Sequence, residues 1–328
     1  MPRASLPDPL VRLIQDHGVR YAPHYPPSDN SDHGPMAYLA MHGLGIAYPC
    51  IESFSETYQT RLVSAPRPMR AVSTDRWAAH VGVRESYSAL RELFSDQISK
   101  HGWQATTAEY LPRLVSGWVK DAFHPLIRLA YGIEFEAVSE IASGLAYLTI
   151  VGDDPELARI AQRPPTNLSG RDYLIAAQPM RMPAFARGPF NVRYQRILRE
   201  ATLSVASDEP IDRLSRACLE VFHTTHDFFA LHLVTASHAF RVCEPWAGRA
   251  GGLFSTGIAA AYLAIGAPQF DPLARAAAAL PIERLSSASD EHDIKLAYSA
   301  HSQALAYGDP TYEWATAAYL NTRLPATT

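Results

Sequence analysis

The sequence predicts an all-α protein, a large irregular helical bundle over residues 1–328 with its functional site in the core. Apolar residues recur at helical intervals in one stretch after another. No hairpin signal occurs, and no alternating strand pattern runs beyond a few residues. The chain has 328 residues, 47% of them apolar, enough for one large domain or two modest ones with filled cores.

The elements follow in order. Pro7 to Gly18 reads as a first helix with Leu10, Leu13 and Ile14 on one side and Gly18 as its terminator. A polar, proline-rich loop from Tyr21 to Ser31 leads into Asn30-Ser31-Asp32-His33-Gly34-Pro35-Met36, which opens a second helix with His33 at its first turn. Ile51 to Leu62 completes a helical hairpin, and Ala65 to Arg76, rich in proline, is a surface connection. Helical spacing returns over Arg84 to Lys100, Ala105 to Val115 and Lys120 to Tyr131. Ala137 to Val151 is apolar enough for a buried helix, in which Gly144 allows a close neighbour. Residues 164–189 mix prolines with a short helix at Tyr173 to Ala177, the best candidate for a lid or an excursion over the core. One long helix is expected from Ile211 to Cys243, followed by Leu253 to Ile265, Pro272 to Ala279, a helix capped by Ser289, and Thr311 to Leu320.

Composition narrows the function classes. A net charge of −4 and the lack of a lysine-rich run argue against nucleic acid or an anionic membrane as the main partner, and favour small molecules. Cys50, Cys218 and Cys243 show no Cys-x-x-Cys spacing and read as buried thiols in a reducing compartment. Prolines and an aspartate interrupt any apolar run between Met1 and Ile14, so no secretory signal is expected. Gly251 to Ala267 is too short to span a bilayer, and a cytoplasmic location is expected. Gly43-Leu44-Gly45 is a mere fragment of a dinucleotide fingerprint, lacking the third glycine and a preceding strand. There is no P-loop, no Gly-x-Ser-x-Gly elbow and no His-Glu-x-x-His, and His223-x-x-His226 lacks the partners of a zinc finger.

Lysine and histidine are the informative residues. Of 29 basic residues, 26 are arginine; only Lys100, Lys120 and Lys295 are lysine. His292 and Lys295 stand three apart on one helical face, behind an acidic first turn. A lysine near a helix N-terminus feels the positive end of the dipole, which favours the neutral amine or an anion made from it. Such an amine can take up carbon dioxide as a carbamate, which is chemically a carboxylate ligand. The plainer reading is that Lys295 pairs with Glu291 on a surface helix. Among thirteen histidines, His124 and His232 are set in apolar segments where an unpartnered imidazole is costly. His33, His124, His232 and His292 come from four separate helices, 91, 108 and 60 residues apart, as in metal sites of helical bundles. Each has an alternative: His33 as a helix cap, His124 as a core residue bonded to a carbonyl. Between His223 and His238 at most one or two can face a single site, and His226 and His238 suit packing or supporting roles better.

These pieces resemble the questin oxidase-like family. The resemblance rests on Asn30-Ser31-Asp32-His33 with the Met36 to Gly45 helix, Phe123-His124-Pro125-Leu126-Ile127-Arg128-Leu129-Ala130-Tyr131-Gly132 with Glu134-Phe135, Asp227-Phe228-Phe229-Ala230-Leu231-His232-Leu233-Val234-Thr235-Ala236, and His292-Asp293-Ile294-Lys295. It implies a helical oxygenase whose relatives oxidatively open anthraquinone rings, with a non-haem Fe(II) held by four histidines and a lysine carboxylated by carbon dioxide. Carried over, the ligands would be His33, His124, His232, His292 and Lys295. Four neutral imidazoles suit iron(II), and one anionic ligand lowers the charge of the site while leaving a position open to dioxygen or a small phenolic or quinonoid substrate. Asp32, Glu134 and Asp293 are candidates to orient the histidines, and Trp118, Tyr131, Phe228 and Phe229 to wall a pocket. An NADPH-dependent Baeyer-Villiger-type oxidase is the alternative enzyme, and a non-catalytic helical binding protein the alternative outside enzymes. No further catalytic residue is expected beyond the ligands.

Overall fold

Proline and glycine punctuate the chain, and helices fill the intervals. The computed structural model describes residues 5–26, 30–67, 70–207 and 211–325; the middles of the two expected surface loops, 27–29 and 68–69, lie outside the described residues. Helix α1 (Asp8–Arg20) is followed by α2 (Gly34–Gly43) and α3 (Tyr48–Gln59), and all three carry proline in the first turn, where its missing N–H costs nothing. Between α1 and α2, strands β1 (His24–Tyr25) and β2 (Asn30–Ser31) pair antiparallel, with His24 opposite Ser31. Helices α4 (Tyr87–His101) and α5 (Trp103–Tyr110) meet at Gly102. Then come α6 (His124–Glu134) and α7 (Val138–Val151), the shorter α8 (Pro155–Ala161) and α9 (Gly170–Ala177), and α10 (Phe190–Glu200). The last third holds α11 (Asp212–Thr225), α12 (Phe228–Cys243), α13 (Gly251–Ala264), the single turn α14 (Ile282–Leu285), α15 (Glu291–Tyr307) and α16 (Thr311–Arg323).

Helix α6 is the axis of the bundle. Every residue from His124 to Ile133 is buried, because α7 covers one side and α12 the other. The α6–α7 contact is close: a Cβ on Gly144 would lie 2.6 Å from Leu129 Cα, and one on Gly132 would lie 2.7 Å from the Ile141 nitrogen. Helix α15 packs on α12, α2 and α16, so α2, α6, α12 and α15 enclose one interior. Among the described residues no helix is long and apolar enough to cross a membrane.

Several boundaries differ from the sequence reading, each for a local reason. Gly18 does not end α1; the helix runs on to Arg20, and Gly18 is buried against α7, where a Cβ would lie 3.3 Å from Ser143 Oγ. The expected Ile211–Cys243 helix is two helices, broken where His226 turns left-handed (φ 49°) and Asp227 caps α12 by accepting from the N–H groups of Phe229 and Ala230. Residues 272–279 are not helical: their backbone is tied elsewhere, the Leu273 N–H to Glu220 and the Ala276 N–H to Thr311 Oγ1. Asp290, not Ser289, caps α15. The segment 164–189 contains α9 and two 3-10 turns and packs on α11 and α13, Tyr173 donating to the Ser204 carbonyl and Gln178 to Tyr262 Oη.

Candidate metal centre

Four imidazoles meet inside the enclosure. His33 is the residue before α2, held by its own N–H donating to Tyr58 Oη at 2.6 Å. His124 opens α6, His232 lies one turn into α12, and His292 begins α15. The rings of His33 and His124 stack at 4.3 Å; His292 stands edge-on to His33 at 4.6 Å, and His232 edge-on to His124 at 4.9 Å. Ligand atoms of His33, His124 and His292 all lie within 4.8 Å of one another.

The hydrogen bonds fix which nitrogen of each ring faces inward. His124 Nδ1–H donates to the Asp121 carbonyl, and His232 Nδ1–H donates to the Phe228 carbonyl at 2.8 Å. Both rings have then spent their proton, so the two Nε2 atoms face each other at 3.2 Å as lone pairs. Two acceptors at that distance repel unless a cation lies between them, and about 3 Å is the spacing of neighbouring donors around one ion with bonds of about 2.1 Å. His292 Nδ1 is 3.0 Å from Asp290 Oδ1, while its Nε2, both ring nitrogens of His33, and Lys295 Nζ are buried without a hydrogen-bond partner. Buried orphan donors and acceptors are rare in proteins. Five nitrogen-bearing side chains with their polar atoms unsatisfied in one place fit a bound metal ion.

Electrostatics disfavours protonation of three of the rings. Burial, then the neighbouring charges of the other imidazoles and of Lys295, push His33, His124 and His232 well below the ordinary histidine range. Burial likewise pulls the Lys295 amine down to about 8, against the attraction of Glu291, Asp290 and Asp32. Lys295 is fully buried in α15, one turn after His292, and its charge acts on three of the four rings.

The carboxylates expected to orient the rings do other work. Asp32 Oδ2 bonds His17 Nε2 at 2.8 Å and faces Arg128 Nη1 at 3.6 Å, while its Oδ1 accepts the Gly34 N–H at 3.0 Å. Burial opposes ionisation of Asp32, but His17 and Arg128 hold its carboxyl below the usual range. Glu134 bonds His238 Nε2 at 2.7 Å, and His238 Nδ1 meets Ser299 Oγ at 3.1 Å, so both join a polar seam beside the site. Asp293 is paired with Arg323 at 3.1 Å. The groups actually beside the rings are Asp290 and Glu291; Glu291 Oε1 lies 3.6 Å from His33 Nδ1 and its Oε2 takes a hydrogen bond from Arg61 at 3.1 Å. Glu291 therefore does not serve merely as a surface partner for Lys295. From sequence the cap of this helix falls at Ser289, one residue before Asp290, and the roles of Tyr58, Arg61 and Glu291 carry no local signal.

The aromatic candidates divide. Phe228, 51% exposed, packs on His232 at 4.9 Å and on His292 at 4.7 Å, at the edge of the cluster. Phe229 is 6.0 Å from His232 and stacks on Phe190 at 4.5 Å. Tyr131 donates to the Lys295 carbonyl at 3.3 Å, with its ring against His238 and Tyr298. Trp118 packs instead on Phe240 and Phe254, in the core away from the rings. His226 is also misplaced as a neighbour of the site: it is exposed at the end of α11 and packs on Tyr319 at 5.1 Å.

Two curated fungal proteins are similar over short stretches. One is the Baeyer-Villiger oxidase ptaJ of Pestalotiopsis fici, 35% identical over 75 residues, which is 21% of this chain and 17% of that protein. The other is the questin oxidase of Aspergillus fumigatus, 33% identical over 79 residues, or 22% of this chain and 18% of that protein. The similarity thus spans less than a fifth of either relative. The family described as questin oxidase-like matches residues 31–209, more than half of the sequence and a span that includes His33 and His124; the chain belongs to the questin oxidase-like family.

Proposed function

We propose that this chain is a non-haem iron-dependent oxygenase that uses dioxygen to cleave a carbon-carbon bond of a phenolic or quinonoid, anthraquinone-like substrate. The observation that carries the reading is the pair of Nε2 lone pairs of His124 and His232 at 3.2 Å, with the unpartnered nitrogens of His33, His292 and Lys295 around them. Family membership and the names of the two fungal oxidases support the reaction class. Iron(II) supplies the one-electron chemistry with dioxygen that no side chain offers.

The chain's own residues prepare the site. His124 and His232 are held in the tautomer that turns Nε2 inward, by the Asp121 carbonyl in the turn before α6 and by the Phe228 carbonyl in the first turn of α12. Lowering the Lys295 amine to about 8 raises its neutral fraction well above that of an ordinary lysine, and the neutral amine attacks carbon dioxide through its Nζ lone pair. A nitrogen–carbon bond forms, the amine loses a proton, and the product is a carboxylate able to serve as the anionic ligand. Phe228 offers a half-exposed ring beside His232 and His292 against which a planar substrate can stack.

Metal analysis after anaerobic purification tests this directly. We expect about one iron per chain, and oxygen uptake with a phenolic substrate that needs no reductant. Absence of stoichiometric iron, with none regained on reconstitution, sinks the proposal. The similarity to a Baeyer-Villiger oxidase favours a second reading, NADPH-dependent oxygen insertion, and oxygen uptake that requires NADPH would select it.

A further inference from the structure

Between Lys120 and His124 the backbone takes an unfavourable course. Asp121, Ala122 and Phe123 are consecutive non-glycine residues with φ of 50°, 52° and 68°. Left-handed backbone is disfavoured for each residue with a Cβ, and a run of three persists only where its surroundings hold it. Its result is specific: the turn folds the Asp121 carbonyl back onto His124 Nδ1 and so sets which nitrogen of that ring enters the cluster.

The restraint on this turn is a partly buried polar knot outside the metal centre. Asp121 Oδ2 bonds His24 Nε2 at 2.9 Å and accepts from Tyr147 Oη at 3.4 Å, and Asp121 Oδ1 accepts from Asn191 Nδ2 at 3.2 Å. The Tyr147 hydroxyl also lies 3.0 Å from His24 Nε2 and 2.7 Å from Ser31 Oγ. Ser31 ends β2 two residues before His33 and is the register partner of His24 on β1. One knot therefore grips both the turn that delivers His124 and the strand that delivers His33.

Resting on the metal reading above, we propose that His24 is a positioning residue for the metal centre, which holds the strained turn through Asp121 and links it to the His33 strand through Tyr147. It touches no reacting atom. His24→Ala releases the turn, the Asp121 carbonyl leaves His124, and that ring no longer keeps Nε2 inward.

The test uses the full chain and cobalt(II) as the probe, together with imidazole nitrogen-15 spectra of the metal-free protein. In His24→Ala we expect His124 to lose its Nδ1–H tautomer while His232, bonded within its own helix, keeps its own. Cobalt(II) affinity should fall about 10–100-fold, the usual effect of losing a partner that orients a ligand. His24→Gln, which retains an N–H donor, should restore both. An unchanged His124 in His24→Ala overturns the proposal, as does a joint shift of His124 and His232, which would indicate general loosening. Should His24→Ala fail to fold, Tyr147→Phe removes one hydroxyl from the same knot and is read by the same two outcomes. A wild-type chain that binds no cobalt(II) sinks the metal reading separately, since the nitrogen spectra still decide the role of His24.

Discussion

Lys295 concentrates the chemistry of the molecule in one side chain. A chain with 26 arginines and three lysines places one of those lysines, fully buried, where only a deprotonatable cation is tolerable. Lys295→Arg installs a permanent buried charge that cannot be neutralised, so we expect a loss of several kcal/mol of stability together with metal affinity. Lys295→Met keeps the volume without the charge; the fold should survive near wild-type stability while metal affinity, read by competition with a chromogenic chelator, falls at least tenfold. Equal affinity in Lys295→Met would leave the lysine without a ligand role. The same environment fixes a pH dependence for the metal-free protein. His33, His124 and His232 lie below their unfolded value of about 6.5. Below about pH 6.5 the unfolded chain therefore binds protons that the native state refuses, and stability falls as pH falls. Lys295 adds a second window: its folded value of about 8 lies below the unfolded value of about 10.4, so stability rises with pH between the two. Urea unfolding followed from about pH 5 to about pH 10 should show both slopes, and added metal, which competes with protons for the same nitrogens, should extend the acidic slope to lower pH.

Helices place these residues, and the α6–α7 pair sets the frame for the rest. Gly144 lets the two backbones touch, so Gly144→Ala must push α7 off Leu129 and should cost about 1–3 kcal/mol in urea unfolding. Gly251→Ala, at the start of α13 with open space around its Cβ, is the control and should be neutral or slightly stabilising. The close approach was legible in sequence, since a glycine within the apolar run 137–151 has few other uses there. Helix interiors were legible for the same reason: apolar spacing is a property of each segment. Breaks were not. His226 takes a left-handed conformation with no glycine to announce it, and Asp121 to Phe123 do so three times in succession, so a sequence reading carries helix straight through both. The alanine run after Pro272 has high helix propensity and still forms no helix; Glu220 and Thr311, from distant elements, take the N–H groups of Leu273 and Ala276.

At the scale of the whole molecule, the site draws on elements from one end of the sequence to the other, His33 before α2 and Lys295 in α15, so assembling it and folding the bundle are one event. His124 and His232 were legible because a histidine flanked by leucine or proline inside an apolar helix needs a reason to be there, whereas His33 and His292 stand in polar helix starts and joined the set through spacing and resemblance. Their supporting groups were not, because Tyr58, Arg61 and Glu291 reach the cluster only through tertiary packing and resemble ordinary surface residues in sequence. The buried set His17, Asp32, Arg128 and Glu140 was equally hidden: it ties α1, the approach to α2, α6 and α7 together, with Arg128 Nε donating to Glu140 at 2.8 Å. A metal that takes ligands from four such separated elements stabilises the native state and has no comparable site in the unfolded chain. Saturating iron(II) or cobalt(II) at about 100 times its dissociation constant should then add about 2.7 kcal/mol to global stability. Calorimetry should show one unfolding transition whose midpoint rises with metal concentration, and hydrogen exchange should slow in α2, α6, α12 and α15 together. If protection instead rose in α15 alone, the ion would be bound by Asp290, Glu291 and His292 at the helix start, and the four-helix site would be refuted.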